Sequence, residues 1–189
     1  LWLEARGVDA IIAQGIEAGG HRGMFLSTDL STQMGTFSLL PQIVCAVGLP
    51  VIAAGGIADS QGVIAALDLG ASAVQIGTAF LLCSECNTSA LHRQALKSES
   101  AGHTAITNVF SGRPARSIVN RLVRELGPIN ESAPPFPLAG AEIAALRSLA
   151  EKEGCSDFTP LWCGQNASGC KEVAAADLVR ELAAGRRQN

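Results

Sequence analysis

Lysine and arginine are scarce in this chain: they number 14 among 189 residues, against 17 acidic residues, for a net charge of −3. The few that occur are mostly dispersed, so no basic face is expected for nucleic acid or anionic lipid. There is no apolar run of the roughly 18 residues that a membrane span needs, and no charged-then-apolar leader resembling a signal peptide. Neither nucleic acid nor membrane is an expected partner, and the expected location is cytoplasmic. Cys83-Ser-Glu-Cys86 is a formal C-x-x-C pair, but no second such pair and no H-x-x-x-H supplies further ligands. Reduced thiols are therefore expected, with no metal site. Triplets of the N-x-S/T type at Asn87, Asn130 and Asn166 would matter only in a secreted protein.

What is present suits an α/β enzyme domain: 48% hydrophobic residues, 16% charged and 20 glycines. The densest stretch is Ala13 to Gly23. It follows the apolar run Val8 to Ala13, which reads as a strand buried on both faces. Glycines 15, 19, 20 and 23 then allow positive φ or close approach of a ligand, around His21, the first histidine of the chain. Upstream, Leu1 to Arg6 with Gly7 reads as a last helical turn and its cap. Ser31 to Ala46 reads as a helix, with Pro41 as an interruption. Val51 to Ala54 is a strand, Gly55-Gly56 a turn, Asp59 an N-cap and Ile64 to Leu69 a helix body. Ala73 to Ile76 repeats the strand, Gly77-Thr78 the turn and Ala79 onward the helix. The order is that of parallel βα units. Two successive glycine turns at the carboxyl ends of adjacent parallel strands, each opening a helix, make a cradle for phosphate; tight turns and helix caps are the bland alternative.

The rest of the chain changes character: Cys83 to Glu125 reads as helical and more polar, with a helix over Ala90 to Lys97 and an arginine cluster over Thr107 to Arg124, and Ala141 to Glu153 and Ala174 to Ala184 read as the last two helices. Arg113, Arg116, Arg121 and Arg124 could bind phosphate, but a solvated helix face or ion pairs is the commoner outcome. Residues 127 to 137, with four prolines, form a stiff connection. His92 and His103 read as surface or interface histidines. Glu17 could orient His21, bind Arg22 or act as a solvated cap. The organisation expected is residues 1–84 as βα units with the cradle, 85–153 as a helical domain and 154–189 as a segment returning to the first.

Three stretches, Ala13-Gln-Gly-Ile-Glu-Ala-Gly-Gly-His-Arg-Gly23, Pro50-Val-Ile-Ala-Ala-Gly-Gly-Ile-Ala-Asp59 and Gly70-Ala-Ser-Ala-Val-Gln-Ile-Gly-Thr-Ala-Phe80, together resemble the class I nitronate monooxygenases. Phe110-Ser-Gly-Arg-Pro-Ala-Arg116 and Leu161-Trp-Cys-Gly-Gln165 extend the resemblance over nearly the whole chain, with Cys163 where that family more often has alanine. The resemblance implies an FMN-binding (β/α)8 barrel, of which this chain carries about the last three strands, with a mostly α-helical second domain. It also implies oxidation of alkyl nitronates, propionate 3-nitronate foremost, by O₂ to a carbonyl compound and nitrite. Carried across, His21 is the catalytic residue. Gln14, Gly19, Gly20, Gly55, Gly56, Gln75, Ile76, Gly77 and Thr78 bind FMN, the glycine turns chiefly its phosphate. The implied partners are small molecules, and a homodimer is compatible with the pattern.

Two alternatives stand beside this. One is a related FMN barrel that uses NAD(P)H, either a quinone reductase or an enoyl-thioester reductase; the other is a non-catalytic truncated chain. A barrel needs eight strands, so five βα units, roughly 150 residues, are expected before Leu1. Without them the chain is expected to be poorly soluble and to bind FMN weakly.

Overall fold

The computed structural model describes residues 1–184. It divides into two compact units, the first made of residues 1–18, 23–86 and 168 onward, the second of residues 19–22 and 87–167. The described strands are β1 (Ile11–Gln14), β2 (Gly20–His21), β3 (Val51–Ala54), β4 (Ala73–Gln75), β5 (Thr104–Thr107) and β6 (Ala115–Ile118). The α-helices are α1 (Thr36–Ala46), α2 (Ser60–Asp68), α3 (Ala90–Leu96), α4 (Arg121–Leu126), α5 (Ala139–Glu142), α6 (Ala144–Lys152) and α7 (Ala175–Ala183).

In the first unit β1, β3 and β4 form a parallel sheet in that order. Small residues on the sheet let the helices approach closely: Ala13, Val51 and Ala53 are buried with Leu40 of α1 and Ala66 of α2. Pro41 lies inside α1. It costs one backbone hydrogen bond, but Leu40, Ile43 and Val44 pack onto the sheet cluster on both sides of it. The helix expected from Ser31 begins only at Thr36, after a separate 3₁₀ turn at Leu30–Thr32. A second difference follows β4, where Thr78–Leu82 is a 3₁₀ turn and not the expected α-helix. Buried Ala79 and Leu82 are spaced by three, the period of that tighter helix. Ala79 and Cys83 pack against α7 through Leu178 and Leu182.

The second unit holds the main departure from expectation. It is not purely helical, because β2, β6 and β5 make an antiparallel sheet in that order. The helical character expected over 83–125 gives way to strands β5 and β6, followed by the short α4, which Asn120 caps at the Val123 amide. All four residues of β6, Ala-Arg-Ser-Ile, are buried, so the strand lacks the alternation that marks a half-buried one. Its polar members are satisfied inside. Arg116 Nη1 donates to Thr104 Oγ1 at 3.0 Å, and Ser117 Oγ accepts from the Leu161 amide at 3.0 Å. The helix expected over 141–153 is divided at Ile143 into α5 and α6. No helix among the described residues is long and apolar enough to cross a membrane. All six cysteines are free thiols.

Candidate functional site

In the first unit, three strand ends lie in register: Gln14 is opposite Ala54, and Ala54 is opposite Gln75. The turns Gly55-Gly56 and Ile76-Gly77 therefore leave the sheet side by side, at the end that also carries Gln14. The Gln14 side-chain carbonyl accepts from the Gly23 amide at 2.7 Å. Glu17 is a cap: its carboxylate accepts from the Thr36 amide and hydroxyl, each at 2.9 Å, at the start of α1. Gly15 makes room for this arrangement, since a Cβ there would lie 2.0 Å from Thr36 Oγ1.

The two cradle turns differ in what their glycines do. Gly55 has φ +114°, and a Cβ on it would stand 3.0 Å from Thr36 Oγ1 and 3.1 Å from the Ala18 nitrogen, so the fold itself demands glycine. Gly77 has φ −107°, and a Cβ there would meet no atom within 4 Å. Packing gives no reason for glycine at 77, and its open face fits a bound group such as the phosphate of FMN. Neither turn opens an α-helix directly. Residues 57–59 separate Gly56 from α2, where Asp59 accepts from the Gly62 amide at 2.8 Å, and Gly77 precedes the 3₁₀ turn. The fit to an anion thus rests on turn geometry more than on a helix dipole.

In the second unit, β2 pairs with β6 so that Gly20 faces Arg116 and His21 faces Ala115. This pairing draws together two stretches that the sequence keeps far apart. His21 Nε2 lies 2.9 Å from Ser111 Oγ. The Ser111 hydroxyl donates to the Arg113 carbonyl at 3.1 Å and accepts from the Arg113 amide at 3.4 Å, which leaves one lone pair for the ring. Nε2 is thereby assigned the imidazole proton and Nδ1 the ring lone pair. Burial, and then the Arg113 guanidinium charge, hold the imidazole pKa below its ordinary 6.5, although the residue remains open to solvent on one side. Two aromatic rings flank it: Trp162 is tilted with centroids 5.3 Å apart, and Phe136 stands nearly perpendicular at 5.7 Å. Gly19 accommodates the main chain of the Leu161–Gln165 stretch, because a Cβ there would lie 2.6 Å from the Gly164 nitrogen.

The nitronate monooxygenase family model matches residues 1–185. The chain belongs to the nitronate monooxygenase family. It is 45% identical over 181 residues to nitronate monooxygenase of Pseudomonas aeruginosa, an alignment covering 95% of this chain and 52% of that protein. It is 40% identical over 183 residues to a probable nitronate monooxygenase of Bacillus subtilis, covering 96% and 53%. Among solved structures, nitroalkane oxidase from Streptomyces ansochromogenes superposes with a TM-score of 0.89 at 43% identity, over 97% of this chain and 53% of that one. FabK from Thermotoga maritima gives a TM-score of 0.74 at 31% identity, over 97% and 56%. The chain spans about half the length of the relatives it matches.

Against this nitronate monooxygenase background, the expected site residues fall into two sets. Gln14, Gly55, Gly56, Gln75, Ile76, Gly77 and Thr78 belong to the first unit, and Gly19, Gly20 and His21 to the second. Sequence reasoning did not place Ser111, Phe136 or Trp162 beside His21. Ser111 and Trp162 sit within motifs that carry the family resemblance, whereas Phe136 lies outside them, in the proline-rich connection. The arginines do not act together. Arg113 lies near His21, Arg116 is buried in β6, and Arg121 pairs with Glu125 at 2.7 Å on the surface. His92 is not a surface histidine: it is half-buried, and its Nε2 is enclosed without a hydrogen-bond partner.

Proposed function

We propose that the protein oxidises alkyl nitronates, propionate 3-nitronate among them, with O₂ and bound FMN, giving a carbonyl compound and nitrite. We further infer that the parallel sheet is the C-terminal part of an FMN-binding (β/α)8 barrel. The observation that carries the reading is the surroundings of His21: a ring oriented by Ser111, kept neutral near pH 7 and set between two aromatic walls beside a guanidinium.

Each group has a task that follows from its chemistry. The Arg113 charge attracts an anionic nitronate. A neutral imidazole with its lone pair on Nδ1 suits a base that takes the α-proton of a neutral nitroalkane, a step that a ready-made nitronate does not need. The Trp162 and Phe136 rings cover two sides of the imidazole and leave its remaining side open for a substrate to approach. Gly55, Gly56, Gly77 and Thr78 would hold the FMN phosphate, with Gln14 and Gln75 at the neighbouring strand ends. FMN would supply the electron acceptor of the oxidation.

The test is oxygen consumption and nitrite release on adding a nitronate, without a nicotinamide. With a neutral nitroalkane as substrate, His21→Asn is expected to keep FMN and to lower turnover roughly 10²-fold or more. Wild-type turnover in that variant would remove His21 from the mechanism. NAD(P)H oxidation with a quinone or an enoyl thioester, and no response to nitronate, would favour a reductase instead.

A further inference from the structure

We infer that Phe136 is the residue that reads the alkyl chain of the substrate. The inference rests on the nitronate reading above and adds a determinant of specificity to it. Of the two rings against His21, Trp162 is part of the structure: it meets Phe110 edge-on at 5.7 Å, packs on the cluster of Val109, Leu122 and Val123, and bridges to Ser117 through its main chain. Phe136 is different. It touches the imidazole, yet it is 54% exposed.

That exposed ring is held in place. Gly112 has φ +81°, and a Cβ on it would fall 2.2 Å from the Pro134 oxygen and 2.5 Å from the Phe136 nitrogen. Residues 134–136 therefore lie directly on the Ser111–Arg113 turn, at a distance only glycine allows. Pro135 and Pro137 flank the ring with fixed φ, and the Leu138 amide donates to the Pro135 carbonyl at 2.8 Å. One contact thus sets both the hydrogen-bond partner of His21 and its outer apolar wall. A substrate whose charged end is drawn to Arg113, beside His21, has its alkyl part left to be covered. The exposed part of Phe136 offers apolar area for it, at about fourfold in affinity per methylene fully buried.

The test compares kcat/KM for ethyl, propyl and butyl nitronates in the FMN-loaded protein and in Phe136→Ala and Phe136→Leu, with FMN content followed by absorbance. The expected result is a butyl-to-ethyl ratio that falls roughly fourfold to tenfold in Phe136→Ala, mainly through KM, and is largely kept in Phe136→Leu. Should the alanine variant fail to fold, Phe136→Gln, similar in length but polar, is expected to lower the ratio in the same way. An equal loss for all three substrates would mean a structural role and overturn the inference. A ratio that rises would show a steric gate and also overturn it. An FMN-loaded wild-type protein with no nitronate turnover at all would instead defeat the functional reading beneath it.

Discussion

His21 Nε2 and Ser111 Oγ stand 2.9 Å apart across ninety positions of sequence. Because the serine hydroxyl is spent on the Arg113 carbonyl, the hydroxyl oxygen works as an acceptor and fixes the imidazole tautomer. Ser111→Ala removes that acceptor and is expected to lower kcat with a neutral nitroalkane about tenfold, by misorienting the base. Steady-state turnover at matched FMN content checks it, and an unaltered kcat would show that the ring is held by its aromatic neighbours alone.

The Arg113 charge, second to burial, depresses the His21 pKa. A base works only when unprotonated, so activity toward a neutral nitroalkane should fall as pH drops through a value below the ordinary 6.5. Arg113→Gln removes one of the two depressing causes and is expected to move this acid limb to higher pH. A kcat/KM profile between about pH 5 and 7.5 measures the shift; a limb that stays in place or moves to lower pH contradicts the assignment.

Gly77 and Gly55 should separate binding from folding. In Gly77→Asp the added Cβ would meet no atom within 4 Å, while the carboxylate would stand against the phosphate dianion, so the melting temperature should hold while FMN is lost. Gly55→Ala strains a residue at φ +114° and should lower the melting temperature. Full flavin occupancy in Gly77→Asp after gel filtration would show that the turn binds nothing.

Glu17 links the glycine loop to the first amide of α1. Replacing it with alanine leaves the Thr36 N–H without its carboxylate partner and should cost roughly 1–2 kcal/mol, the usual range for a lost helix cap. Urea denaturation reads this directly. A cost near zero would mean that water replaces the carboxylate.

Much of the first unit was legible in the sequence. Short runs at 51–54 and 73–76, each followed by a glycine turn, have few conformations open to them, and the strands lie at 51–54 and 73–75. The 3₁₀ turn at 78–82 was not legible, because the apolar spacing that selects it is also compatible with an α-helix and only packing against α7 decides. The second unit was harder still. Arg116 and Ser117 disguise a fully buried strand as an exposed polar one, and nothing local announces that Thr104 and the Leu161 amide will satisfy them.

The sequence by itself determined the order of βα units, the glycine turns and the presence of an imidazole in a glycine-dense loop, since these follow from local sterics and from hydrophobic runs. Tertiary structure alone decided what His21 meets. Its partners Ser111, Phe136 and Trp162 come from three distant segments, brought together by the antiparallel pairing of β2 with β6 and by the close packing that Gly19 and Gly112 permit. Such contacts depend on how whole segments bury each other, and no local propensity encodes that.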